Sequence, residues 1–272
     1  MIKNGLLKLP EWEMEYICFG RGKKVLILLP GLGDGLRTMK GTALPMAVLY
    51  RVFAKDYTVF AFSRRRQIPV GYTTRDMAKD QKLAMDALGI TQADIMGVSM
   101  GGMIAQWLAA DYPEAVGKLV LVVTADKPNI LMEESLKLWI RQAKAGDHAA
   151  LMESNLQKIY SEKYYRQNRF MVPLLGKLTK PRSYERFLAQ ANACLTHNTE
   201  AVLSNIQAQT LVIAGEKDMV LGAEPSKTIA QRIPYARLRI YPQWGHGLYE
   251  EEKTFNATVL DFLRKQVKTG EN

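Results

Sequence analysis

The 272-residue chain carries 37 Lys/Arg against 27 Asp/Glu, a net charge of +10, with 47% hydrophobic and 24% charged residues. That is ample apolar material for a full-sized core. No apolar run approaches the roughly 18 residues of a membrane span, and residues 1–10 lack the apolar stretch and cleavage site of a secretory signal.

Two cysteines, Cys18 and Cys194, make no disulfide framework, and no Cys/His spacing fits a metal site. The positive charge comes without a nucleic-acid-binding motif. The expectation is a cytoplasmic protein that binds a small-molecule substrate, without metal or organic cofactor and without nucleic-acid or membrane partners. Self-association into a homo-oligomer is left open.

In chain order, residues 15–19 read as a strand closed by the turn Gly20-Arg21-Gly22. The aliphatic run 25–29 reads as a strand covered on both faces. A helix over 44–54 and a strand over 58–62 follow. Residues 74–88 place Met77, Ala78, Ala84, Met85 and Leu88 on one helical face, and Gly89 is the stop. Then come a strand at 94–98, a helix at 100–112 ended by Pro113, and a strand at 118–123. Alternating strands and helices predict a parallel sheet, because parallel strands need long crossovers.

From 126 to 205 no strand pattern is visible. Helical stretches at 133–144, 149–160 and 183–194 are separated by the breakers Pro173, Gly176 and Pro181. The alternation resumes with a strand at 210–214, a helix at 225–232, a strand at 236–241 and a helix at 253–267. The expected organisation is therefore one core domain, residues 1–125 and 206–272, interrupted by a helical lid over 126–205. The segment 130–190 holds 11 Lys/Arg against six Asp/Glu. Its bland reading is a solvated surface, as is that of Arg64-Arg65-Arg66. Its sharper reading is attraction of an anionic substrate.

The main chemical signal is Gly97-Val98-Ser99-Met100-Gly101, placed between a strand and a helix. A serine on so sharp a turn projects its Oγ freely, and the flanking glycines let neighbouring backbones pass close by. Pro30-Gly31-Leu32-Gly33 follows another strand and forms a turn able to aim a backbone N–H at the same place. His246 sits in Trp244-Gly245-His246-Gly247 after the last strand, and Asp218 in Gly215-Glu216-Lys217-Asp218 after the strand before it. These positions lie past strand C-termini, where open α/β sheets place their sites. His148 and His197 fall in the helical insertion and read as surface residues. Asp126, after the strand 118–123, is a rival acid whose alternative role is capping the first insertion helix.

With the order Ser99, Asp218, His246 and with Phe62-Ser63-Arg64, Ala78-Lys79-Asp80 and Asp86-Ala87-Leu88-Gly89-Ile90, the chain resembles the α/β-hydrolase superfamily, in its lid-bearing group of esterases, lactonases and carbon–carbon bond hydrolases. Two departures stand out: Pro30 where many relatives have His, and Val98 where many have His or Tyr. The resemblance implies the α/β-hydrolase fold and a serine hydrolase, a carboxylic ester hydrolase above all. Ser99 is its nucleophile, His246 its base, Asp218 its orienting acid, and the Leu32 and Met100 N–H groups are its oxyanion donors. Trp139, Tyr160, Tyr164 and Phe170 would line the pocket or form lid core. The same triad would serve a carbon–carbon hydrolase or a haloperoxidase-like enzyme, and some members of the fold are ligand receptors with little turnover.

Overall fold

The computed structural model describes residues 1–265, the side chain of Leu175 excepted. Eight strands form one sheet: β1 (Ile2–Lys8), β2 (Glu13–Gly20), β3 (Lys24–Leu29), β4 (Tyr57–Phe62), β5 (Ala93–Val98), β6 (Val116–Val122), β7 (Gln209–Gly215) and β8 (Ala236–Tyr241). Their order is β1-β2-β4-β3-β5-β6-β7-β8. From β4 to β8 every pairing is parallel; β2 joins β4 antiparallel, and β1 joins β2 as a hairpin.

The predicted strands are present, most of them a residue or two longer. β1 was not anticipated. Its side chains are mostly exposed, so the edge strand carries no burial signal in its sequence. It is tied on by backbone pairing in register, Ile2 opposite Phe19 through Lys8 opposite Glu13.

Around the sheet lie α1 (Ala43–Leu49), α2 (Thr74–Ala87), α3 (Met100–Asp111), α4 (Ile130–Lys144), α5 (His148–Ile159), α6 (Glu162–Asn168), α7 (Val172–Leu178), α8 (Glu185–Leu195), α9 (Glu224–Arg232), α10 (Leu248–Glu251) and α11 (Phe255–Arg264). The apolar stripes of α2, α3 and α9 bury Met77, Met85, Ile104, Leu108 and Ile229 in one core. Those of α1 and α11 bury Ala43, Phe255, Val259 and Leu263 in a second. The sheet thus has a helical layer on each face, which explains why its inner strands read as unbroken aliphatic runs.

Several helix expectations need correction. The predicted helix 44–54 stops at Leu49 and passes into a 3₁₀ turn, Arg51–Phe53. Pro173 and Gly176, breakers by their sequence, both lie within α7, Pro173 in its first turn, where a missing N–H costs nothing. The short, largely exposed α6 has no apolar stripe to announce it. The last helix ends at Arg264; the end of the predicted span, 266–267, lies outside the described residues. Helices α4 to α8 all lie between β6 and β7. Among the described residues no helix is long and apolar enough to cross a membrane.

The run Arg64-Arg65-Arg66 is not the solvated patch expected of it. Arg64 is fully buried, Arg65 pairs with Asp80 at 3.3 Å, and Arg66 pairs with Glu13 at 2.7 Å and Glu15 at 2.6 Å.

Candidate active site

Ser99 stands between β5 and α3 with φ 53° and ψ −120°. Only close packing holds a non-glycine residue there. A Cβ on Gly97 would lie 2.4 Å from the Gly101 carbonyl oxygen, and one on Gly101 would lie 1.9 Å from that of Leu29. No side chain fits either position, so the two glycines let α3 press down on β3 and β5 with the serine at the apex. The turn is pinned from both sides: the Ser99 N–H donates to the Val122 carbonyl at 2.8 Å, and the Thr124 hydroxyl donates to the Ser99 carbonyl at 2.8 Å.

Leu32 and Met100 each begin a helical turn, a 3₁₀ turn over Leu32–Gly35 and α3 respectively. The first N–H groups of such turns have no partner within them. The two turns are adjacent, since a Cβ on Gly31 would sit 3.5 Å from Ser99 Cβ.

Behind the first turn lies a feature the sequence marked only as a motif. The guanidinium of Arg64 donates through Nη2 to the Pro30 carbonyl, while its backbone N–H donates to Asp34 Oδ2 at 3.0 Å. Asp34 also takes hydrogen bonds from Arg186 at 3.0 Å and Gln190 at 3.4 Å, both on α8. Burial pulls the Arg64 pKa down, with Asp34 opposing the shift. A buried charge network therefore ties the Pro30–Gly35 loop to β4 and to the insertion.

Asp218 follows β7 and is buried. Its Oδ1 accepts the Val220 and Leu221 N–H groups at 2.8 and 3.1 Å, and its Oδ2 lies 2.7 Å from His246 Nδ1. With one imidazole nitrogen engaged by the carboxylate, the other is left to accept a proton. Ser99 and His246 line one cavity of about 350 Å³.

The rival acid is placed otherwise. Asp126 is buried and its Oδ2 has no hydrogen-bond partner. Nor does it cap α4: that cap is Asn129, whose Oδ1 accepts the Met132 N–H at 2.9 Å. The other two histidines are buried rather than on the surface. His197 meets Thr74 Oγ1 at 2.8 Å and is kept neutral by burial, its pKa pushed down to about 3. His148 faces Thr179 at 3.2 Å.

Of the four aromatic candidates, Trp139 and Tyr160 line the cavity. Tyr164 instead stacks on Tyr160 with ring centroids 4.3 Å apart, and Phe170 is 74% exposed. Helical spacing alone does not distinguish these positions. Asn155, Ile159, Tyr249 and Glu250 also line the cavity and carried no sequence signal. None of the 11 basic residues of segment 130–190 lines it, so that charge gives no support to an anionic substrate. Among the described residues no group of three or more His, Cys, Asp or Glu is gathered as a metal ion requires.

The comparisons with known proteins agree with this architecture. Residues 24–253 match the family model described as alpha/beta hydrolase fold. The provisionally named carbamate hydrolase RutD of Caulobacter segnis is 28% identical over 252 residues, 89% of this chain and 92% of that one. A 2-hydroxymuconate semialdehyde hydrolase of a Pseudomonas species is 30% identical over 250 residues, 88% of this chain and 86% of that one. Among solved structures, the enol-lactonase of Burkholderia xenovorans superposes with a TM-score of 0.81 at 21% identity, covering 96% of this chain and all of the other.

Proposed function

The chain belongs to the α/β-hydrolase fold family and is a hydrolase, and from that premise we propose that it is a serine hydrolase cleaving a small or medium ester, lactone or related carbonyl compound by acyl transfer. The observation that carries this reading is the convergence of the strained Ser99 turn, the His246–Asp218 hydrogen bond at 2.7 Å and the 350 Å³ cavity on one place.

In the proposed reaction Ser99 Oγ attacks the carbonyl carbon while its proton passes to His246 Nε2. Asp218 keeps the Nδ1 proton in place and stabilises the imidazolium. The Leu32 and Met100 N–H groups receive the oxyanion. His246 then gives its proton to the leaving alcohol or enol as the carbonyl–oxygen bond breaks. Water, deprotonated by His246, releases the acid and restores Ser99. Helices α4 to α8 act as a lid, a role supported by the Trp139, Asn155, Ile159 and Tyr160 walls of the cavity. A cavity of this volume suits a small or medium substrate.

Stopped-flow hydrolysis of p-nitrophenyl esters of graded chain length tests the reading. An acyl-enzyme route releases a burst of one equivalent of p-nitrophenol before the steady state whenever deacylation is the slower step. Turnover of none of the esters, with turnover of a carbon–carbon substrate of the dienoate class, would transfer the same triad to the second reading, which the Pseudomonas relative favours.

A further inference from the structure

We propose that Glu250, on the wall of the Ser99 cavity, is a specificity subsite for a protonated amine, so that the preferred substrates are acyl compounds bearing an ammonium group. The inference rests on the serine-hydrolase reading and names its substrate class.

Glu250 lies on α10, four residues past His246, and lines the cavity together with Ser99 and His246. The Tyr160 hydroxyl donates to its Oε2 at 2.7 Å. Glu250 makes no ion pair among the described residues. The charged group acting on it is Glu251, a like charge, and desolvation by the surrounding protein together with that neighbour raises its pKa. The other acid on the cavity wall, Asp34, already has its charge paired with Arg186 at 3.0 Å, although its Oδ1 has no hydrogen-bond partner.

Glu250 is exposed where it lines the cavity, and no counter-charge of the protein pairs with its carboxylate among the described residues. Anchoring the lid does not require it. Ser161 already binds Glu251 through its N–H at 2.9 Å and its hydroxyl at 2.5 Å, and the Gly247 N–H donates to the Ile159 carbonyl at 2.6 Å. A neutral acceptor at 250 would hold the Tyr160 hydroxyl as well. What a carboxylate adds is attraction for a cation that the protein does not supply, in the cavity where the nucleophile stands. Arg37 also lines the cavity, is exposed, and makes an anionic substrate the competing outcome.

The test compares three thioacetates of similar size: those of 2-(dimethylamino)ethanethiol, of its uncharged isostere 3-methylbutane-1-thiol, and of 3-mercaptopropionate. In the wild type the aminoalkyl compound should exceed its neutral isostere about tenfold in kcat/KM, and Glu250→Gln should bring that ratio close to one. A merely structural role for Glu250 would change both compounds alike and leave the ratio intact, as would any general damage to folding. Tyr160→Phe, which removes one donor but keeps the carboxylate, should retain the preference. Equilibrium binding of the same compounds to Ser99→Ala, with and without Glu250→Gln, separates the two readings. A cationic preference in binding without wild-type turnover keeps the subsite and removes the hydrolase mechanism. Equal handling of aminoalkyl and neutral compounds, or an unchanged ratio in Glu250→Gln, overturns the proposal. A preference for the carboxylate compound assigns the subsite to Arg37 instead.

Discussion

Asp218 and Asp126 are two buried acids that follow adjacent parallel strands, β7 and β6, and each lies near a buried histidine. Their surroundings differ in hydrogen bonding. Asp218 has both oxygens engaged, by two backbone N–H groups and by His246 Nδ1. Asp126 touches the His197 neighbourhood through its backbone: its carbonyl accepts the Thr199 N–H at 2.8 Å, while Thr199 Oγ1 donates to Gln106 and lies 3.4 Å from His197 Nε2. Its carboxylate Oδ2 is left without a partner, and burial raises its pKa. An acid after a strand is therefore not enough for a carboxylate–imidazole pair. The local turn must present N–H groups that hold the carboxylate against one imidazole nitrogen, and of these two turns it is the one after β7 that does so.

The largest test of that contrast removes the group the Asp218–His246 pair would serve. Ser99→Ala should lower kcat for the best ester by about 10⁶ at an unchanged melting temperature. Retention of a tenth of the activity would detach the histidine pair from any role in catalysis.

Next, Asp218→Asn should lower kcat by about 10⁴ through loss of tautomer control, while Asp126→Asn should keep kcat within about twofold. For Asp126 the sign of the stability effect follows from its raised pKa. Its charged form is disfavoured in the folded state, so it lowers stability as pH rises through and above the carboxylate range. Asp126→Asn should therefore flatten the fall in melting temperature between pH 4 and pH 8 (a range on the order of the carboxylate pKa values and above). A melting curve identical to wild type at both ends would contradict the account of that site.

Arg64→Met should lower kcat about 10- to 100-fold with KM little changed, because the Pro30 carbonyl loses its donor and the Leu32 N–H drifts from the oxyanion position. An effect confined to KM would place Arg64 in substrate binding instead. The smallest expected effect lies within the insertion. Trp139→Ala should cost about tenfold in kcat/KM for apolar esters, and Phe170→Ala less than about twofold. Equal losses would mean that exposure is a poor guide to which insertion residues meet substrate.

The main groups of the candidate site were legible because each lies in a short motif fixed by local sterics: Gly97 and Gly101 around Ser99, the glycines beside His246, the loop after β7. The parallel strands were legible because burial on both faces leaves unbroken aliphatic runs. β1 was not, since an exposed edge strand such as Lys3-Asn4-Gly5 is held by backbone pairing that no side-chain pattern records. The placements of Arg64 and Glu250 were illegible for another reason. They depend on partners far away in the chain, Pro30 for Arg64 and Tyr160 for Glu250, brought together only by the folded sheet and the helices above it.

The central claim, that the Asp218–His246 pair activates Ser99 as a nucleophile, is tested most directly by covalent labelling with a neutral fluorophosphonate, followed by peptide mass spectrometry on the wild type, Ser99→Ala, Asp218→Asn and Asp126→Asn. The account predicts one adduct per chain on the Ser99 peptide, absent in Ser99→Ala, formed far more slowly in Asp218→Asn and at the wild-type rate in Asp126→Asn. No adduct on the wild type, an adduct that survives Ser99→Ala, or slow labelling in Asp126→Asn with normal labelling in Asp218→Asn would contradict it.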